Sequence, residues 1–403
     1  MSTDASAARA LLTPLAVRHR AAEMLALAEA DRLTSFTLRP DHLPATARRV
    51  AETIRRNYTS LRVPFHARWR HFSLAGADIW APLALTVADA DERARTAFDL
   101  AIVSVLLDAG AGMAWRYRDA STGIVSARSE GLAIASFRMF AAGAFSVYPN
   151  RPLRADSARL STLLPRDIEA GFQVTPDNPL VGVEGRARLL NALGAAVSGL
   201  PGARPGGLYD LLKGQAQGGV LPAPAILAAV LAHLGSIWPS RIVLAGVPLG
   251  DCWRHPLIKG DNPATVGLVP FHKLSQWLSY SLIEPLEAAG IRVCDIDGLT
   301  GLPEYRNGGL FVDMGVLALR DPAAADAPNT VDSALVVEWR ALTVALLDRI
   351  APLVRAELGV AEADFPLARV LEGGTWATGR ELAAAARADG GSPIRIVSDG
   401  TVF

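Results

Sequence analysis

A carboxylate set between a proline and an aromatic side chain is the first feature equipped for chemistry. Glu304 lies in Leu299-Thr300-Gly301-Leu302-Pro303-Glu304-Tyr305-Arg306-Asn307-Gly308-Gly309. The Asn-Gly-Gly run predicts a turn, and a carboxylate held there beside Tyr305 and Arg306 suits stabilising a developing cation or activating a water. The same spacing also fits a plain surface pair in which Arg306 closes the loop onto Glu304. Upstream, Lys273 is one of only three lysines, with Lys213 and Lys259, among 40 basic residues. Pro270 at a first helical position and Gly290 just past the end predict a helix of about twenty residues. Lys273 then falls in the first turn, where unpaired N–H groups and the positive helix end favour an anion. Read as chemistry this is a phosphate seat; read plainly it is a solvated lysine on a surface helix.

A second constellation is Asp251-Cys252-Trp253-Arg254-His255. In a helix, the thiol and imidazole at i, i+3 and the carboxylate and imidazole at i, i+4 share one face. His66 and His71, from Pro64-Phe65-His66-Ala67-Arg68-Trp69-Arg70-His71-Phe72, would then complete a zinc site. The plainer reading is a buried polar cluster or a pocket wall. A Cys252–His255 nucleophile is disfavoured, because apolar neighbours raise a thiol pKa. Trp69, Trp115 and Tyr117 are able to stack on a planar group or to fill the core. Asp108, beside Gly110-Ala111-Gly112, reads as a helix cap within reach of a pocket.

The elements that must position these residues are mostly helical. Leucines, methionine and alanines recur at three- and four-residue intervals in two helices of the first sixty residues, again over 91–107 and 129–142, and over 183–200 and 223–234. The helix carrying Lys273 has an apolar seam of Phe271, Leu274, Leu278, Leu282 and Leu286, with Trp277 on an adjoining stripe. Short strands are expected near 241–247, 291–296 and 309–319. The fold class is therefore mainly α: a single helix-rich domain over 1–403 with a few short strands, any subdivision falling in the Gly/Pro-rich stretch near 200–224. Balanced charge, 40 basic against 40 acidic residues, removes the counterion-release drive for nucleic-acid binding. Two cysteines, no basic-then-apolar leader and no long uncharged apolar window point to a soluble cytoplasmic protein, without a membrane partner.

Four segments, His66 to Phe72, Gly131 to Ser146, Phe271 to Pro285 and Leu299 to Gly309, together resemble the uracil-catabolism protein family of fungi and bacteria, over nearly the whole chain. The resemblance implies a role at the ribosylurea stage, after ring opening has left a urea group on the anomeric carbon. More weakly, Phe271-His272-Lys273-Leu274-Ser275-Gln276 followed by Leu299-Thr300 and Pro303-Glu304-Tyr305-Arg306 is similar to the queuosine-salvage nucleosidases, as is Val337-Glu338-Trp339-Arg340-Ala341. Those enzymes place an aspartate before Tyr-Arg facing the ribose and a helix lysine on the 5′-phosphate. By position, Glu304 takes the carboxylate role and Lys273 the phosphate role. The chain departs from that pattern in a carboxylate one methylene longer and in Pro303 before it. The resemblance also implies a DNA-glycosylase-like helical architecture.

The expected function is hydrolysis of the N-ribosidic bond of ribosylurea or its 5′-phosphate. Glu304 and His272 form the expected catalytic pair, with His255 and His66 the other acid candidates. Lys273, Tyr305, Arg306, Trp277, Trp69 and His66 are the expected substrate-binding residues. Asp251, Cys252, His255 and His71 are the metal candidates. No cofactor is required, zinc being admitted only through those four residues. The expected partner is a small nucleoside- or nucleotide-derived molecule, and the oligomeric state stays open. Two other readings compete: metal-assisted hydrolysis of the ureido C–N bond, and a non-catalytic nucleotide-binding protein of the pathway.

Overall fold

The computed structural model describes residues 3–108, 110–238 and 242–397. Among them helices dominate, and the strands form only two-stranded pairs, so the expected mainly α class holds. The chain divides into two compact units: the described parts of Met1–His66, Ser240–Gln276 and Asp295–Phe403, and those of Ala67–Pro239 and Trp277–Cys294. The Gly/Pro-rich stretch at 200–224 lies inside the second unit. No helix among the described residues is long and apolar enough to cross a membrane.

The first unit is organised by the Ala334–Leu358 helix, which packs against the Pro14–Glu29 and Leu43–Asn57 helices. Ser333 opens it by accepting the Val336 N–H, and Gly359, at φ 71°, closes it in the left-handed conformation. Every residue from Val336 to Leu347 is buried, so Glu338 and Arg340 must find partners inside the protein. Thr13 caps the Pro14–Glu29 helix through the Ala16 N–H, with Pro14 at the first position. The Tyr305–Asp313 and Trp376–Ala386 helices lie against each other.

In the second unit, Asp89 caps the Ala90–Leu106 helix through the Glu92 N–H at 2.6 Å. That helix packs against Arg128–Ala141. Fully buried Asp99 accepts from Arg204 Nε and from the backbone N–H groups of Ala155 and Gly206. It ties two connecting loops to one helix.

Three local expectations are corrected. Pro270 does not start the helix: it ends the Leu268–Pro270 strand, opposite Cys252, and the helix runs Lys273–Ala288. Gly290, at φ 86°, does follow its end. The seam is not one-sided, because Ser275 to Ile283 are buried all round the helix. The Asp251–His255 segment is not helical either; Cys252–Arg254 is a strand, which removes the i, i+3 and i, i+4 geometry. Finally, Asn307-Gly308-Gly309 is not a turn but the first part of the Tyr305–Asp313 helix. A Cβ on Gly308 would stand 2.8 Å from the Trp339 ring, and one on Gly309 3.2 Å from Pro393. These glycines serve close packing, which overrides their weak helix propensity. Of the expected strands, 291–296 contains Arg292–Cys294 and 309–319 contains Leu317–Leu319. Val243–Leu244 pairs with Val247–Pro248, while residue 241 lies outside the described residues.

Candidate active site

Glu304 is the N-cap of the Tyr305–Asp313 helix. Its Oε2 accepts the Arg306 N–H and its Oε1 the Asn307 N–H, both at 2.6 Å. Two charge-assisted bonds from a helix N-terminus fix both oxygens. The residue is 8% exposed. Burial lifts its carboxyl above the usual carboxylate range, opposed by those two N–H groups and by the fields of Lys273 and His66. The surface pair with Arg306 does not form. The Arg306 guanidinium instead donates to the Gly390 carbonyl at 2.7 Å and lies over the Tyr305 ring.

Lys273 begins its helix, and its backbone N–H donates to Asp251 Oδ2 at 3.0 Å. Part of the expected helix-end anion seat is therefore filled by the protein's own carboxylate. Asp251 also receives the Arg340 guanidinium, Nη1 to Oδ1 and Nη2 to Oδ2, each at 2.8 Å, and the Trp253 indole N–H at 2.6 Å. Against the cost of burial, the Arg340 charge and these bonds hold its carboxyl down at about 2. Arg340 Nε reaches the Pro303 carbonyl at 3.4 Å, immediately before Glu304. One guanidinium thus links the cap of the Lys273 helix to the entry of the Glu304 helix.

The histidines separate by their partners. His272, buried with φ 48°, puts Nε2 2.9 Å from the Leu11 carbonyl. A carbonyl only accepts, so that nitrogen carries a proton committed to the backbone, and burial lowers the ring pKa. His272 therefore holds the chain entering the helix, while the charge of His66 acts on Glu304. His255 accepts the Leu257 N–H on Nδ1 and donates from Nε2 to Glu338 Oε1 at 3.1 Å, so both of its nitrogens are engaged. His66 Nδ1 lies 2.7 Å from Glu372 Oε2. The carboxylate sets the tautomer with the proton on Nδ1.

Glu372 was not legible as a site residue. It sits in a π-helical turn, Leu371–Thr375, a form that often marks functional positions. Gly373 and Gly374 let this turn press on neighbouring aliphatics: a Cβ on Gly374 would meet Val50 Cγ1 at 2.6 Å. The adjacent glycines within a helical run were its one sequence signal. Asn307, also missed, donates to the Leu302 carbonyl and accepts the Thr375 hydroxyl, tying the Glu304 loop to the turn that carries Glu372.

The metal candidates do not converge. Among the described residues no three or more His, Cys, Asp or Glu side chains group to hold an ion. Asp251 is committed to Arg340 and His255 to Glu338. Burial, with the neighbouring Asp251 charge, pushes the Cys252 thiol up to about 12. Trp69, His71 and Trp277 belong to the second unit. There Trp69 Nε1 donates to the Ser281 carbonyl at 2.6 Å, and His71 stands edge-on to Trp277 at 6.0 Å. Trp115 is core, its indole N–H given to the Phe172 carbonyl.

The site of the first unit therefore combines an oriented buried carboxylate, a lysine and a carboxylate-backed imidazole. Comparison with known proteins adds relatives to this geometry. A family model described as "Protein of unknown function (DUF1688)" matches residues 10–403. The chain is 40% identical over 416 residues to "Protein urg3" of Schizosaccharomyces pombe, covering 100% of both chains. It is 38% identical over 380 residues to "Uracil catabolism protein 4" of Lachancea kluyveri, covering 85% of each.

Proposed function

The chain belongs to the DUF1688 family, and from this and the uracil-catabolism name of one relative we propose that it acts in uracil degradation. It is a cytoplasmic hydrolase that splits the N-ribosidic bond of ribosylurea or its 5′-phosphate into urea and a ribose compound. The observation that carries this reading is Glu304, a buried carboxylate whose two oxygens are fixed by helix N–H groups while Lys273 and His66 act on it electrostatically.

Urea departs poorly as an anion, so cleavage needs a proton on the leaving nitrogen and a negative group beside the positive charge that grows at C1. His66 supplies the proton, its ring held in place by Glu372 at Nδ1. Glu304 in its ionised form faces C1 and stabilises the oxocarbenium-like state. The C1–N bond breaks with its electron pair going to nitrogen, and water adds at C1 and returns a proton to His66, which restores the acid. Lys273 holds the 5′-phosphate, so binding energy far from the reacting bond is used in the transition state. No metal enters this reading.

The test is product analysis. The protein is incubated with ribosylurea and, separately, with its 5′-phosphate. Equimolar urea and ribose, or ribose 5-phosphate, is the expected result. Ammonia and carbamate in place of urea would put the cut on the carbonyl side and overturn the proposal, as would the absence of turnover of both compounds.

A further inference from the structure

Within the second unit, Arg68 is fully buried. Its Nε donates to Ser104 Oγ at 2.8 Å, and Nη1 lies 3.4 Å from the Ser129 carbonyl and 3.1 Å from Asp108 Oδ2. Ser104 Oγ is in turn 2.7 Å from Ser136 Oγ, so the stem of the guanidinium is held by a hydroxyl pair. Phe72 and Trp277 lie 5.9 and 5.7 Å from its central carbon.

Two atoms at this junction have no hydrogen-bond partner: Nη2 of Arg68 and Oδ1 of Asp108. Their side chains are 0% and 7% exposed. The ion pair runs through Nη1 and Oδ2 alone, which leaves one donor and one acceptor, each a sister atom of the contacting pair. Orphans on charged groups carry the full desolvation penalty unless something completes them. A phosphate or carboxylate would satisfy Arg68 and be repelled by Asp108, and an ammonium the reverse. A neutral group that offers C=O beside N–H satisfies both, and the flanking rings favour a planar one.

We propose that Arg68 and Asp108 form a binding site for a planar amide or ureido group, its carbonyl oxygen accepting from Arg68 Nη2 and its N–H donating to Asp108 Oδ1. The choice of ureido compounds as ligands rests on the function proposed above. The recognition itself is independent of bond cleavage and uses no residue of the Glu304 site.

Calorimetric titration of the full chain with N-methylurea, ribosylurea and ribose 5-phosphate tests it, with wild type compared to Asp108→Asn and Arg68→Lys, each checked for folding by thermal melting. N-methylurea binds wild type and weakens about tenfold or more in each variant, while urea release from ribosylurea at the Glu304 site and ribose 5-phosphate affinity stay within about twofold. Unchanged ureido affinity in a folded variant overturns the proposal. No ureido binding to wild type also overturns it, leaving a bridging water as the occupant. Should both variants fail to fold, N-methylurea soaked into wild-type crystals reads the contact directly, and density elsewhere only is the overturning result. The two readings fail separately. Asp108-dependent binding without urea release sinks the cleavage chemistry alone, and urea release with Asp108-independent binding sinks this site alone.

Discussion

At the scale of single residues, buried partners fix the orientation of Glu304, Asp251 and His66. Glu372 sits 2.7 Å from His66 Nδ1 and holds the ring with a charged carboxylate, which in the proposed reaction orients the acid. Glu372→Gln keeps a hydrogen-bonding group near Nδ1 and removes that charge. Steady-state kinetics on the ribosyl substrate should show kcat falling by about 10- to 100-fold within the range of acid–base contributions, with KM nearly unchanged; a KM effect alone would reduce Glu372 to a substrate contact. Lys273 makes a different kind of contribution. Lys273→Ala should weaken the 5′-phosphorylated ligand by about 1.5–3 kcal/mol, the value of a charged hydrogen bond, and leave the unphosphorylated one nearly unaffected. Equal losses on both ligands, read by titration, remove the phosphate role. Lys273 was legible in sequence as a residue of a helix's first turn, whereas Glu304 was read as a carboxylate on a turn and its place as a helix N-cap was not legible. The different surroundings of His66, His255 and His272 were not legible, because these imidazoles are distinguished by partners at 372, 338 and 11 that spacing does not reveal.

At the scale of elements, one buried helix arranges the site. Three successive residues of Ala334–Leu358 point to different neighbours: Glu338 to His255 and the Thr34 and Ser35 N–H groups, Trp339 to the Gly308 carbonyl, and Arg340 to Asp251 and the Pro303 carbonyl. Only a helix surrounded by protein can use adjacent positions, about 100° apart, in this way. The motif at 337–341 was visible in sequence, yet the work of its side chains was not, since charged residues ordinarily imply an exposed face. Likewise Asp251-Cys252-Trp253-Arg254-His255 reads as a ligand cluster until the strand pairing of Cys252–Arg254 with Leu268–Pro270 separates its side chains. The same helix makes Gly308 obligatory. Gly308→Ala would drive a methyl group into the Trp339 ring and should cost about 1–3 kcal/mol by overpacking, seen as a lower midpoint in guanidinium denaturation. Because that shift moves the helix capped by Glu304, turnover should fall as well; wild-type stability and turnover would contradict the close approach.

At the scale of the whole molecule, ionisation couples stability to pH. The carboxyls of Asp251 and Asp119 are held at about 2, Asp251 by Arg340 and Asp119 by Arg138 with the Ser121 and Thr122 hydroxyls. A folded pKa below the unfolded value of 3.8 stabilises the fold above that value, and the contribution is lost as pH falls through the folded one. Glu304 and Asp99, raised by burial, act with the opposite sign, since their protonation relieves a desolvation cost. Thermal melting should therefore drop between about pH 4 and pH 2, and Asp251→Asn should flatten that drop while lowering stability throughout; an unaltered slope would contradict the assignment. The helical class of the chain was legible from apolar periodicity. Its division was not, because each unit is assembled from separate stretches of sequence, and no composition shift marks where the chain passes between them inside one helix. The central claim is that the Glu304 charge drives ribosyl cleavage, and the most direct measurement is the single-turnover rate of urea release for wild type, Glu304→Gln and Glu304→Asp, each matched for melting temperature. Glu304→Gln should lose about 10²- to 10³-fold in rate with little change in substrate affinity, and Glu304→Asp should keep partial activity. Rates within a few-fold of wild type for both folded variants would contradict the account and leave Glu304 a helix cap.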